Sequence, residues 1–125
     1  KRQNLFSLIY VFLGGGIGCT LRYLLGVLLP IQKIGYPYST FLANLIGCLA
    51  LGIFISITEK SMSNQYLFFV VGLCGGLTTF STFTFENLIF LQNGKILYFF
   101  VYSLSSFVLC LIFTYTGYKL FQMLS

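Results

Sequence analysis

Four apolar runs, each long enough to cross about 30 Å of hydrocarbon as a helix, dominate the sequence and leave it one class of environment. They extend from about Leu5 to Leu29, Tyr38 to Ile57, Tyr66 to Leu91 and Ile96 to Leu120. Pro30 closes the first, and Glu59 and Lys60 close the second. A segment that is apolar on every side must be covered by lipid or by other helices. The composition agrees: 58% hydrophobic and 7% charged residues, with a mean hydropathy of +0.93, lie far outside the range of water-soluble domains. The expectation is an all-α membrane protein whose residues 1–125 form a single transmembrane domain of four helices. The first run passes into Arg22 and Tyr23 without a small-residue cleavage site, so it is read as a span rather than a secretory signal.

The few charges exclude several functions. Four spans put both termini on one side, where Lys1, Arg2, Lys60 and Lys119 lie, against Lys33, Lys95 and an outward-reaching Arg22 on the other. This bias is too weak to fix one orientation. The net charge of +5 is scattered along the chain, without the basic patch that a nucleic acid would need. With no histidine and only Glu59 and Glu86 as carboxylates, general acid–base catalysis has almost no groups to use, and no enzyme is expected. Cys19, Cys48, Cys74 and Cys110 fall one per span, without metal-ligand or redox spacing, and are read as small packing residues.

Inside a bilayer the informative residues are polar or small, because each polar group needs a partner there. Gly14 and Gly18 form a small-xxx-small pair in the first span, and Arg22 follows one turn later. Arg22 is either a snorkelling cation or an attractor of anions at a vestibule. Thr40, Asn44 and Gly47 share one face of the second span; Asn44 can bond another helix or donate to a ligand without carrying charge. The third span holds the strongest signal. Gly75 and Gly76 precede Thr78, Thr79, Phe80, Ser81, Thr82, Phe83 and Thr84, and paired glycines followed by β-branched residues in mid-membrane predict a broken helix with carbonyls turned to a site. Bared carbonyls suit a cation, whereas the hydroxyls can donate to an anion, or else bond back to their own helix. Phe80 and Phe83 are three apart: either core packing, or two ring edges whose positive rims hold an anion weakly enough to release it. Tyr98, Tyr102, Ser106, Cys110 and Thr114 repeat every four residues in the last span, as a hydroxyl rail or as the buried face of a bundle.

The run Gly75-Gly76-Leu77-Thr78-Thr79-Phe80-Ser81-Thr82-Phe83 resembles the signature of the bacterial Fluc (CrcB) fluoride channels. The resemblance extends to Gly14, Gly15, Gly18, Arg22 and Tyr23, to Asn44 and Gly47, and to the four-span length, covering essentially the whole chain. It implies an antiparallel, dual-topology homodimer in the bacterial cell (inner) membrane, with two pores that export cytoplasmic fluoride passively. It further implies that Phe80, Phe83 and Asn44 contact the ion and that Ser81 and Thr82 assist; Thr40, on the polar face of the second span, and Arg22, near the vestibule, are expected on the pathway from their own positions. A structural sodium ion would be held by the backbone carbonyls of Gly75 and Thr78 from each subunit. The family's polar track maps onto Tyr102, Ser106 and Cys110, where a thiol stands in place of the expected hydroxyl; the track then ends at Ser106 or continues through Thr114. The principal alternative, a small multidrug-type proton antiporter, needs a carboxylate inside its first span, and none is present. A purely structural subunit would leave the polar residues of the third span unexplained.

Overall fold

A computed structural model describes residues 4–58 and 63–124, so that Lys1, Arg2, Glu59 and Lys60 lie outside the described residues. Helix α1 (Leu5–Leu28) opens on Asn4, whose Oδ1 accepts the Ser7 N–H at 3.0 Å, satisfying one of the amides that a helix start leaves free. It stops before Pro30, and the short α2 (Ile31–Ile34) turns the chain through Gly35 at φ 83°, a left-handed position that suits glycine. Helix α3 (Tyr38–Ile57) is the second span. The third is composite: a π-helical stretch (Tyr66–Cys74), one turn of α4 (Gly75–Leu77), an extended break, and α5 (Ser81–Gln92). Helix α6 (Ile96–Leu124) completes the bundle. Four segments, Leu5–Ile34, Tyr38–Ile57, Tyr66–Gln92 and Ile96–Leu124, are long and apolar enough to cross a membrane. Three of the four spans thus begin and end within a few residues of their sequence boundaries; the first is lengthened by α2, beyond Pro30.

Two close helix contacts organise these spans. The Gly14/Gly18 pair of α1 lies against the backbone of the third span: a Cβ on Gly14 would strike the Phe68 carbonyl, and one on Gly18 the Leu73 carbonyl. From the other side, a Cβ on Gly76 would come within 2.5 Å of the Gly15 carbonyl. Small residues therefore let the two backbones touch, as lipid-embedded helices require when no hydrophobic effect drives them together. The second contact joins α3 and α6, where Gly52 abuts the Thr114 carbonyl and Gly117 abuts the Leu49 carbonyl. From Phe41 against Tyr102 to Gly52 against Thr114, residue numbers rise together along both helices, so α3 and α6 run in parallel.

At one end of this second contact, Tyr36 in the connection before α3 gathers Tyr38, Tyr98, Tyr102 and Phe90 into an aromatic cluster with ring centroids 5.0–6.1 Å away. Burial, and then the adjacent Tyr38 phenol, raise the ionisation of Tyr36 above its ordinary value, so it stays neutral. Outward-facing side chains are overwhelmingly apolar: Phe12, Leu28 and Phe107 are each more than two-thirds exposed. Such a surface suits lipid or another membrane helix.

Candidate functional site

The break between α4 and α5 is held open by side chains from neighbouring helices. At Thr78 the backbone turns extended (φ −85°, ψ 155°). In an unbroken helix the Thr79 N–H would bond to the Gly75 carbonyl. Instead it donates to Asn44 Oδ1 at 2.8 Å, while Asn44 Nδ2 donates back to the Thr79 carbonyl at 3.3 Å. The Thr82 N–H, which would close on the Thr78 carbonyl, donates to Thr79 Oγ1 at 3.2 Å. Both carbonyls expected to meet a cation, Gly75 and Thr78, have thus lost the amide that would close their turn. The intervening Gly76 carbonyl accepts from Arg22 Nε at 3.0 Å. Gly75 itself faces open space, since an added Cβ would meet nothing within 4 Å. A cation that accepts neutral oxygen ligands fits this pair of freed carbonyls.

Two clefts meet at Thr79. The first, of about 360 Å³, is lined by Asn44, Thr78, Thr79, Phe80, Phe83 and Ser106 together with Cys48, Ser103, Phe107 and Cys110. None of these side chains is charged. The Phe80 and Phe83 rings are 5.8 Å apart and tilted by 34°, and Phe83 lies 5.0 Å from the Tyr102 ring. Phe80 precedes α5 and is 76% exposed, whereas Phe83 is half-buried on its first turn. Ser106 is buried with no hydrogen-bond partner for its hydroxyl among the described residues. A buried hydroxyl without a partner is costly, and Ser106 is one of the residues lining the cleft.

The second cleft, of about 260 Å³, is lined by Arg22, Thr40, Thr79, Thr82 and Glu86, with Tyr23, Gly26, Val27 and Ser39. Glu86, which the sequence showed only as one of two carboxylates, is part of this lining. It is buried and accepts from Thr40 Oγ1 at 2.7 Å and from Tyr102 Oη at 2.6 Å. The carboxylate therefore ties α3, α5 and α6 together, and the Thr40 and Tyr102 hydroxyl protons are directed at it. A carboxylate inside a span was itself the available signal, because such a group demands a specific partner.

The sequence candidates are distributed accordingly. Asn44, Phe80, Phe83 and Ser106 come together in the first cleft; Arg22, Thr40 and Thr82 share the second; Tyr102, fully buried, packs between them. Arg22 braces the break through Gly76 as well as facing the second cleft. Ser81 is exposed, lies 3.3 Å from Thr79 Oγ1 and lines neither cleft. Thr78 and Thr84 turn their hydroxyls to their own backbone, at Cys74 and Ser81. Of the two residues in question for the end of the polar track, Cys110 lines the first cleft, and Thr114 lines a separate apolar one.

Residues 9–118 match the sequence profile of the family described as CrcB-like protein, Camphor Resistance (CrcB). A protein of Flavobacterium psychrophilum named fluoride-specific ion channel FluC is 43% identical over 115 residues, covering 89% of this chain and 93% of its own length. Its namesake from Phocaeicola vulgatus is also 43% identical, over 82% of this chain and 88% of its own. A third, from Gloeothece citriformis, is 39% identical over 82% and 85%, respectively.

Proposed function

Because the chain belongs to the CrcB-like family, we propose that it is a fluoride-selective channel in a membrane, and not an enzyme. The observation that carries this reading is the uncharged first cleft beside the broken third span. It offers a buried, unpartnered Ser106 hydroxyl, a second Asn44 N–H beyond the one given to Thr79, and the Phe80 and Phe83 rings. Fluoride is small and strongly hydrated, so a pathway must replace its water with close donors. Neutral donors and ring edges do so while leaving the ion free to depart, whereas a fixed ammonium would trap it.

The finer reading is an antiparallel homodimer in the bacterial inner membrane, with two pores and passive export of cytoplasmic fluoride. Three features support it. The flanking charges are nearly balanced; Gly75 and Phe80, at the break, are open in the single chain; and a two-fold axis near the midplane would bring two copies of the break together. The Gly75 and Thr78 carbonyls of both copies would hold a structural sodium ion, which supplies positive charge to dipoles otherwise left without a partner in low dielectric. The test is efflux from liposomes of purified protein, read with ion-selective electrodes. Fluoride efflux well above that of chloride is expected; equal rates, or no fluoride efflux, would overturn the reading.

A further inference from the structure

The first cleft holds two thiols that the proposed anion pathway does not explain. Cys48 follows Asn44 by one turn of α3, and Cys110 follows Ser106 by one turn of α6; both line the same cleft. The helix register brings them together. Gly52 touches Thr114 across the α3/α6 contact, and one turn earlier on each of these parallel helices lie Cys48 and Cys110. Both thiols line the wall of this one cleft, and all four cysteines are free. Cys74 is buried and does not line the cleft. Among the described residues no cluster of three or more His, Cys, Asp or Glu side chains could hold a metal ion.

Two thiols in the wall of one cleft, without a third ligand, select strongly among cations. Zinc takes four ligands in structural sites and three plus water in catalytic ones, more than this pair supplies. Soft thiolates prefer soft metals. A monovalent copper or silver ion between two thiolates leaves a net negative charge in an apolar cleft, which is costly. A divalent ion that accepts two sulfurs in line leaves none.

We propose that Cys48 and Cys110 form a two-coordinate site for a thiophilic divalent cation of the mercuric type, located in the wall of the first cleft. Two S–H bonds break and two S–metal bonds form. Both protons leave to water, the metal stays divalent, and the bis-thiolate product is neutral. Because the site lies one turn from Asn44 and Ser106, its occupation narrows the cleft. The binding claim stands on the thiol pair alone, whereas inhibition of fluoride flux rests also on the proposed function.

The test uses the purified full chain and mercuric chloride as the probe. Bound mercury is read by mass spectrometry and by sulfur-to-metal charge-transfer absorption after dialysis against β-mercaptoethanol. The parent should retain one ion per chain with the loss of two protons. Cys48→Ser and Cys110→Ser, which leave a single sulfur, should each hold it about 10²-fold or more less tightly, because the second bond is no longer intramolecular. The corresponding alanine variants repeat the measurement, and circular dichroism verifies that every variant is folded. Retention unchanged in either folded variant, or retention that instead disappears with Cys19→Ser or Cys74→Ala, would overturn the site. In liposomes the metal should block fluoride efflux of the parent and be reversed by dithiol. If the parent carried no fluoride at all, the functional reading would fail while the binding measurement still decided the metal site.

Discussion

Asn44→Ala tests whether the break in the third span is imposed from outside or is intrinsic to its glycines and threonines. Asn44 makes two hydrogen bonds to the Thr79 backbone, at 2.8 and 3.3 Å. Interhelical hydrogen bonds in membrane proteins contribute roughly 0.6 to 1.7 kcal/mol each, so losing both costs about 1–3 kcal/mol. As a change in the equilibrium constant, that is roughly 5- to 150-fold. The Thr79 N–H then has the Gly75 carbonyl as its nearest helical acceptor, and the expected response is closure of that turn. Denaturant titration in detergent reads the stability, amide hydrogen exchange at Thr79 reads the closure, and liposome efflux reads the function. Stability should fall by the stated amount, Thr79 exchange should change, and fluoride flux should collapse. Asn44→Asp keeps the acceptor for the Thr79 N–H but sets an anionic oxygen against the Thr79 carbonyl and faces the permeating ion with like charge; it should also abolish flux. Stability within about 0.5 kcal/mol of the parent, the range of an ordinary surface substitution, together with normal flux in Asn44→Ala would refute both the bracing and the pathway role.

Further predictions concern the rings, the helix contact and the cation. Phe80→Ile and Phe83→Ile keep apolar bulk but remove the positive ring edge; with aromatic contacts of this kind contributing about 1 kcal/mol, each should lower flux several-fold in folded protein, and unchanged flux in both would assign the rings to packing. Gly76→Ala directs a methyl to within 2.5 Å of the Gly15 carbonyl, so it should destabilise the chain by about 1–3 kcal/mol in denaturant titration, as overpacking does. Exchange of sodium for a large organic cation, after trapped sodium is removed, should weaken dimerisation measured by subunit exchange; a sodium-free dimer of equal stability and activity would refute the structural cation while leaving the fluoride pathway intact.

The spans and the position of the break were legible because both depend on local chemistry. Apolar length marks the four helices, and Gly75-Gly76 followed by threonines marks the interruption, since these residues sustain a helix poorly. How the break is maintained was not legible. That Asn44 spends both ends of its amide on Thr79 depends on where α3 lies against the third span. The Glu86 contacts to Thr40 and Tyr102 link residues 46 and 16 positions away, and such separations carry no periodic signal. The stripe on α6 could be read only in part: Tyr102 and Ser106 do lie on a buried face, but one hydroxyl is tied to a carboxylate and the other is left available. The cysteines, evenly dispersed one per span, conceal a pair because the α3/α6 register follows from close packing at Gly52 and Gly117 rather than from sequence spacing.

Selective fluoride conduction is tested most directly by the reversal potential of the purified protein in a planar bilayer, with sodium fluoride on one side and sodium chloride at equal concentration on the other. With the cation balanced, a channel whose cleft admits fluoride and rejects chloride should give a large potential of the sign set by fluoride flowing down its gradient. Phe83→Ile should diminish the current. A reversal potential near zero would mean that the two halides pass equally or that the current is carried by sodium, and it would contradict the account.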